Sequence, residues 1–308
     1  MTSTRAIGCA LTLLASLAFA GGPAKTAPKA TDATFVTSDG ITLHYQTQNL
    51  GCEKCQAIVL VPGWTMPAFI WAKQQAELGA GAYTVIALDP RSQGESDKTP
   101  EGNYPGRHAI DLKELIEKLA LKKPVLVGWS NAVLTLAAYA DRYGSDGVGG
   151  FVLVDGFVWD SGVEKVAGSL LPWMLAMQQD RQKFTVDFVR SMFARPIEPE
   201  FFEALTAASL KEPTADAVAM QTASLGTPSW KAALEKMSCP VAFVYEPQLE
   251  ASATLLKQLV PKAHLERIDG AGHALMVDDA EHFNRTLKAF AAWVASGKPM
   301  PEQPKATK

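Results

Sequence analysis

Five short, almost uninterrupted apolar runs recur along the chain: "QAIVLV", "YTVIAL", "VLVGW", "GGFVLV" and "PVAFVY". Runs this short read as strands, and strands that are apolar on both sides must be covered on both faces. The segments between them carry helical spacing. "RHAIDLKELIEKLA", for example, sets Ile110, Leu112, Leu115, Ile116 and Leu119 along one stripe. Strand and helix in alternation predict an α/β fold, a mostly parallel sheet with helices on both faces. Ahead of the first run, "TFVTSDGITLHYQTQ" reads as a hairpin turning at Asp39-Gly40.

The alternation stops after Gly156 and resumes near residue 237. Residues 33–156 and 237–296 are therefore expected to form the α/β core, and residues 157–236 a helical insertion lying over the site as a lid. Trp159, Leu171, Trp173, Met174, Met177, Phe184, Phe188, Met192 and Phe193 would supply both the lid's core and a pocket wall. Residues 21–32 read as a flexible lead and residues 297–308 as a disordered tail, because both are small, polar and Pro-rich.

The first twenty residues have the form of a signal peptide. Arg5 precedes an apolar run from Ile7 to Phe19, and Ala18-Phe19-Ala20 is a small-x-small cleavage signal. The expectation is a periplasmic or secreted protein whose mature chain starts near Gly21, without a stable membrane anchor. In an oxidising compartment Cys52 and Cys55 read as a local disulfide across a turn, and Cys239 as a core residue. No second ligand pair stands at zinc spacing, so no metal is expected. With 308 residues and a formal net charge of −3, the chain has no basic stripe, which argues against a nucleic-acid partner.

The chemistry centres on Gly128-Trp129-Ser130-Asn131-Ala132, between an apolar strand and an apolar helix. Strand, sharp turn, serine, helix is the context that presents a hydroxyl outward, next to a base. Alanine stands where the G-x-S-x-G pattern has its last glycine, adding one methyl at a close strand–helix crossing. Of five histidines, His44, His108, His264 and His282 fall within predicted strands or helices or at their starts. Only His273, in "IDGAGHALM", follows a buried strand directly in a glycine-rich loop.

With these residues in place, the sequence resembles an α/β-hydrolase of the cofactor-free esterase and haloperoxidase type, from about Thr34 to Ala295. "VPGW" stands at the family's oxyanion loop, with Pro62 for its histidine. "LDPRSQGES" matches a structural turn, "GWSNA" the nucleophile elbow and "GAGH" the histidine loop. The resemblance implies Ser130 as nucleophile, His273 as base, and the backbone N–H groups of Trp64 and Asn131 as oxyanion donors, with no cofactor.

The acid is where the chain departs from this family. The seventh strand, "VAFVYEPQLEAS", has no aspartate. Three candidates stand: Asp155 at the end of strand six, where some relatives carry their acid, Glu246 at the end of strand seven, and Glu250 beyond it. The expected function is hydrolysis of a small-molecule carboxylic ester with a hydrophobic part. Perhydrolase, lactone or amide chemistry on the same triad, and an inactive hydrolase fold used for binding, are the alternatives.

Overall fold

The computed structural model describes residues 29–81, 83–156, 163–224, 230–298 and 300. The expected signal peptide, and Trp159 of the insertion, lie outside the described residues. In chain order the elements begin with β1 (Thr31–Val36), β2 (Thr42–Gln48), β3 (Gln56–Val61), α1 (Ala72–Gly79), β4 (Tyr83–Leu88) and α2 (Pro105–Lys118). Then come β5 (Val125–Trp129), α3 (Ala132–Tyr143) and β6 (Gly150–Val154). The insertion supplies α4 (Val163–Gln179), α5 (Arg181–Ser191), α6 (Pro199–Lys211), α7 (Thr214–Ser224) and α8 (Trp230–Glu235). The core closes with β7 (Val241–Tyr245), α9 (Glu250–Leu259), β8 (His264–Arg267), α10 (Leu275–Asp278) and α11 (Ala280–Ser296).

Eight strands form one sheet in the order β1-β2-β4-β3-β5-β6-β7-β8. The pairs β1–β2 and β2–β4 are antiparallel, and every later pair is parallel. Strand β1 begins at Thr31, two residues inside the stretch expected to be a flexible lead, because Thr31 and Asp32 pair with Thr47 and Gln46.

The continuous apolar runs are explained by two cores, one on each face. Successive residues of a strand point to opposite faces. Phe151 and Leu153 of β6 enter the core beneath α2, α3, α8 and α9, while Val152 and Val154 enter the core beneath α1, α10 and α11. Phe243 and Val244 of β7 divide the same way. Burying a side chain of this size contributes about 1.5–3 kcal/mol.

"LDPRSQGES" folds as a polar hub. Asp89 accepts from the Ala68 N–H at 2.5 Å and pairs with His44 at 2.7 Å, and the buried Arg91 donates twice to Asp111 at 2.7 Å. Cys52 and Cys55 are joined in a disulfide, with Cα atoms 5.3 Å apart, in the turn between β2 and β3. Cys239 is free and half-buried, and burial pushes its thiol up to about 11. Among the described residues no helix is long and apolar enough to cross a membrane.

Candidate active site

The elbow forms where β5 stops. Ser130 continues the ladder by one bond, donating its N–H to Val154 O at 2.8 Å, and then turns with φ +56° into α3. A non-glycine residue in the left-handed region is strained, and here the surrounding sheet and helix impose it. The turn needs close approach. A Cβ on Gly128 would stand 2.8 Å from Ala132 O, and one on Gly63 would stand 2.9 Å from Ser130 Cβ. Ala132 itself is buried without displacing the serine, so the extra methyl is accommodated.

His273 follows β8 and faces the elbow. Its Nε2 lies 2.8 Å from Ser130 Oγ and its Nδ1 2.7 Å from Asp155 Oδ2. A carboxylate only accepts, so Nδ1 carries the proton and Nε2 is left to accept from the serine hydroxyl. Asp155 is 1% exposed, whereas the His273 side chain remains 30% exposed. The Asp155 carboxylate is therefore sealed in the protein while the imidazole reaches the solvent side.

The three acid candidates are placed differently. Asp155, with φ +44°, ends β6 and carries the carboxylate that meets His273. Glu246 contributes its backbone instead, donating its N–H to Asp155 Oδ1 at 2.8 Å. Burial and the neighbouring Asp155 charge push the Glu246 carboxyl above the usual range, with His273 pulling the other way. Glu250 opens α9 and meets Tyr245 and Arg267, not the imidazole.

Asn131 follows the serine in the chain, and Trp64 follows Gly63, which packs against it. Among the described residues, neither backbone N–H donates to a protein acceptor. The Trp64 ring is 2% exposed and belongs to the insertion's aromatic cluster. It lies 4.6 Å from the Trp173 ring and 5.2 Å from the Phe188 ring, and its Nε1 donates to Ala217 O at 2.8 Å. Thr65, with φ +58°, accepts from Ser209 Oγ at 2.8 Å. Insertion helices α6 and α7 thus hold the loop that carries the Trp64 amide. Met177 packs into this cluster, whereas Leu171, expected in a lid core or pocket wall, is 58% exposed on the outer side of α4.

Trp129, the middle residue of "GWS", has a part that its spacing did not signal. Its indole Nε1 donates to the His273 carbonyl at 2.8 Å, tying the elbow to the histidine loop. The other histidines are engaged elsewhere. His44 pairs with Asp89 and Asp32, and His264 and His282 share the Glu266 carboxylate. His108 is buried neutral, pushed down to about 3 by burial and by Arg91 and Arg107. Among the described residues, no group of three or more His, Cys, Asp or Glu side chains is arranged to hold a metal.

A sequence profile of the Alpha/beta hydrolase family matches residues 58–285. The chain belongs to this family. This alpha/beta hydrolase is 27% identical over 274 residues to a Synechocystis sp. protein provisionally named a non-heme chloroperoxidase, covering 81% of this chain and 95% of that one. It is 32% identical over 129 residues to the human serine hydrolase BPHL, covering 40% of this chain and 43% of that one. The solved esterase from Exiguobacterium antarcticum superposes with a TM-score of 0.75 at 20% identity, covering 84% of this hydrolase and 99% of that chain. At that identity the likeness shows the fold alone.

Proposed function

We propose that this chain is an exported serine hydrolase that cleaves a carboxylic ester with a hydrophobic part, through an acyl-enzyme on Ser130. One observation carries the reading: Ser130 Oγ, the two His273 nitrogens and the Asp155 carboxylate form an unbroken hydrogen-bonded chain with 2.8 and 2.7 Å links. An inactive fold used for binding would have no need to keep both links.

Ser130 Oγ attacks the acyl carbon while His273 Nε2 takes its proton, and Asp155 steadies the imidazolium that results. The carbonyl oxygen gains negative charge and accepts from the Trp64 and Asn131 amides. Each such donor is worth about 10²–10³ in turnover. The C–O bond then breaks, and His273 returns the proton to the departing alcohol. Water repeats the sequence on the acyl-enzyme and releases the acid. The apolar cluster of Trp64, Trp173, Phe184 and Phe188 supports a hydrophobic substrate part.

The test is hydrolysis of p-nitrophenyl esters of increasing acyl length by the wild type and by Ser130→Ala. Turnover and fluorophosphonate labelling are expected only in the wild type. A wild type that neither turns over nor labels sinks the reading. The chloroperoxidase name of the Synechocystis relative favours a second assay, peracid formation from acetate and hydrogen peroxide, in which peroxide takes the place of water. Export is supported by the signal-like first twenty residues and by the Cys52–Cys55 disulfide. Mass spectrometry of the protein recovered outside the cytoplasm is expected to find an N-terminus near Gly21.

A further inference from the structure

His273 is pinned from both sides by contacts that involve the insertion. The next residue, Ala274, donates its N–H to Met192 O at 2.8 Å. The preceding residue, Gly272, donates its N–H to Asp278 Oδ2 at 2.8 Å, and the same oxygen accepts from the Ala194 N–H at 2.8 Å. One carboxylate oxygen therefore joins the histidine loop to the segment between α5 and α6. The two backbones touch: a Cβ on Gly272 would stand 2.8 Å from both Ala194 N and Met192 O. Arg195 closes the clasp from outside, donating to Gly270 O at 3.3 Å and Asp278 O at 2.9 Å and pairing with Asp279 at 3.1 Å.

A simpler role for Asp278, capping a helix, is already taken. Asp279 is the N-cap of α11, accepting from the His282 N–H at 3.2 Å. Asp278 is the last residue of α10, where a helix offers carbonyls and no free N–H groups. Its carboxylate is directed at two amides of other segments. A charged acceptor shared by two backbone donors is among the stronger hydrogen-bonding arrangements available to a loop.

We infer that Asp278 is a positioning residue for His273, and that through it the seating of the helical insertion sets the imidazole between Ser130 and Asp155. The inference rests on the proposed Ser130–His273 chemistry. When the 192–195 segment sits against the core, both neighbours of His273 are fixed. When that segment lifts, Ala274 loses its acceptor and Asp278 loses one of its two donors. Alignment of the imidazole is then coupled to the seating of the insertion, with Asp278 as the side chain that bonds to both segments.

The experiment uses the full chain with Asp278→Ala and Asp278→Asn. A displaced imidazole is expected to lower kcat for Asp278→Ala by about 10²-fold. KM should change little, because the Asp278 carboxylate is turned to the Gly272 and Ala194 amides. Gly272 and Ala194 amide exchange should accelerate by about tenfold or more. The low-field proton signal of His273 Nδ1–H, which reports its bond to Asp155, should broaden or move. Asp278→Asn retains a carbonyl oxygen and should recover most of the kcat, the slow amide exchange and the His273 signal. Unchanged kcat alongside faster Gly272 exchange would overturn the inference, as would an unchanged His273 signal. If the wild type itself hydrolyses no ester, the functional reading fails separately, and the His273 signal and Gly272 exchange still decide whether Asp278 positions the imidazole.

Discussion

The Glu246 backbone N–H donates to Asp155 Oδ1 at 2.8 Å, so the end of strand seven holds the carboxylate carried at the end of strand six. Asp155 divides its two oxygens between this amide and His273 Nδ1. Asp155→Asn should therefore lower kcat by about 10⁴-fold, because an amide can force the wrong imidazole tautomer. Glu246→Gln leaves the backbone donor in place and should stay within a few-fold of wild type. Steady-state kinetics on one ester compares them. A larger loss in Glu246→Gln would transfer the acid role to Glu246.

The elbow tolerates the methyl of Ala132 and should not tolerate one added at Gly63. Ala132→Gly restores the family pattern, and it is expected to keep activity within a few-fold while losing up to about 1 kcal/mol from the start of α3. Gly63→Ala puts a methyl 2.9 Å from Ser130 Cβ and 3.4 Å from Oγ. Displacing the Ser130 hydroxyl should cost about 10²-fold in kcat. Circular dichroism should show both variants folded, and rates should separate them.

Glu212, just after α6, is 1% exposed, and neither carboxylate oxygen has a hydrogen-bond partner. Burial pushes its carboxyl well above the ordinary 4.5, with Asp216 adding to the shift and Arg181 and Lys98 opposing it. The folded chain thus holds this proton more tightly than the unfolded chain. The stability from Glu212 is full below about pH 4.5 and is lost as pH rises toward the folded value. Glu212→Gln should flatten that slope and exceed wild-type stability by about 1–3 kcal/mol at alkaline pH. Denaturant unfolding across pH checks the sign.

The Cys52–Cys55 bridge closes a loop with a sequence separation of 3. A loop this small restrains little chain entropy, under about 2 kcal/mol. Reduction should therefore lower Tm by no more than about 8 °C and leave ester turnover unchanged. A collapse of the fold on reduction would show that the bridge does more than hold its turn.

The sequence alone determined the sheet, the strand-to-helix turn at Ser130 and the glycine-rich loop that carries His273. Apolar runs without alternation had to be buried on both faces, and the two cores on either side of Phe151-Val152-Leu153-Val154 meet that demand. Ser130 and His273 were legible because each is fixed locally, one by a strand-to-helix turn and one by a glycine-rich loop after a strand. The carboxylate that meets His273 was not legible. Val154 and Val244 are register partners in neighbouring parallel strands, so Asp155 leaves the sheet level with Tyr245 and only one residue short of Glu246. Only the tertiary arrangement decides which carboxylate meets the imidazole. Leu171 turned outward and Asp278 bonded to Ala194 for a similar reason. A weakly amphipathic helix or a lone aspartate carries no local mark of its neighbours, and contacts between residues 84 positions apart arise only when the insertion folds back onto the core.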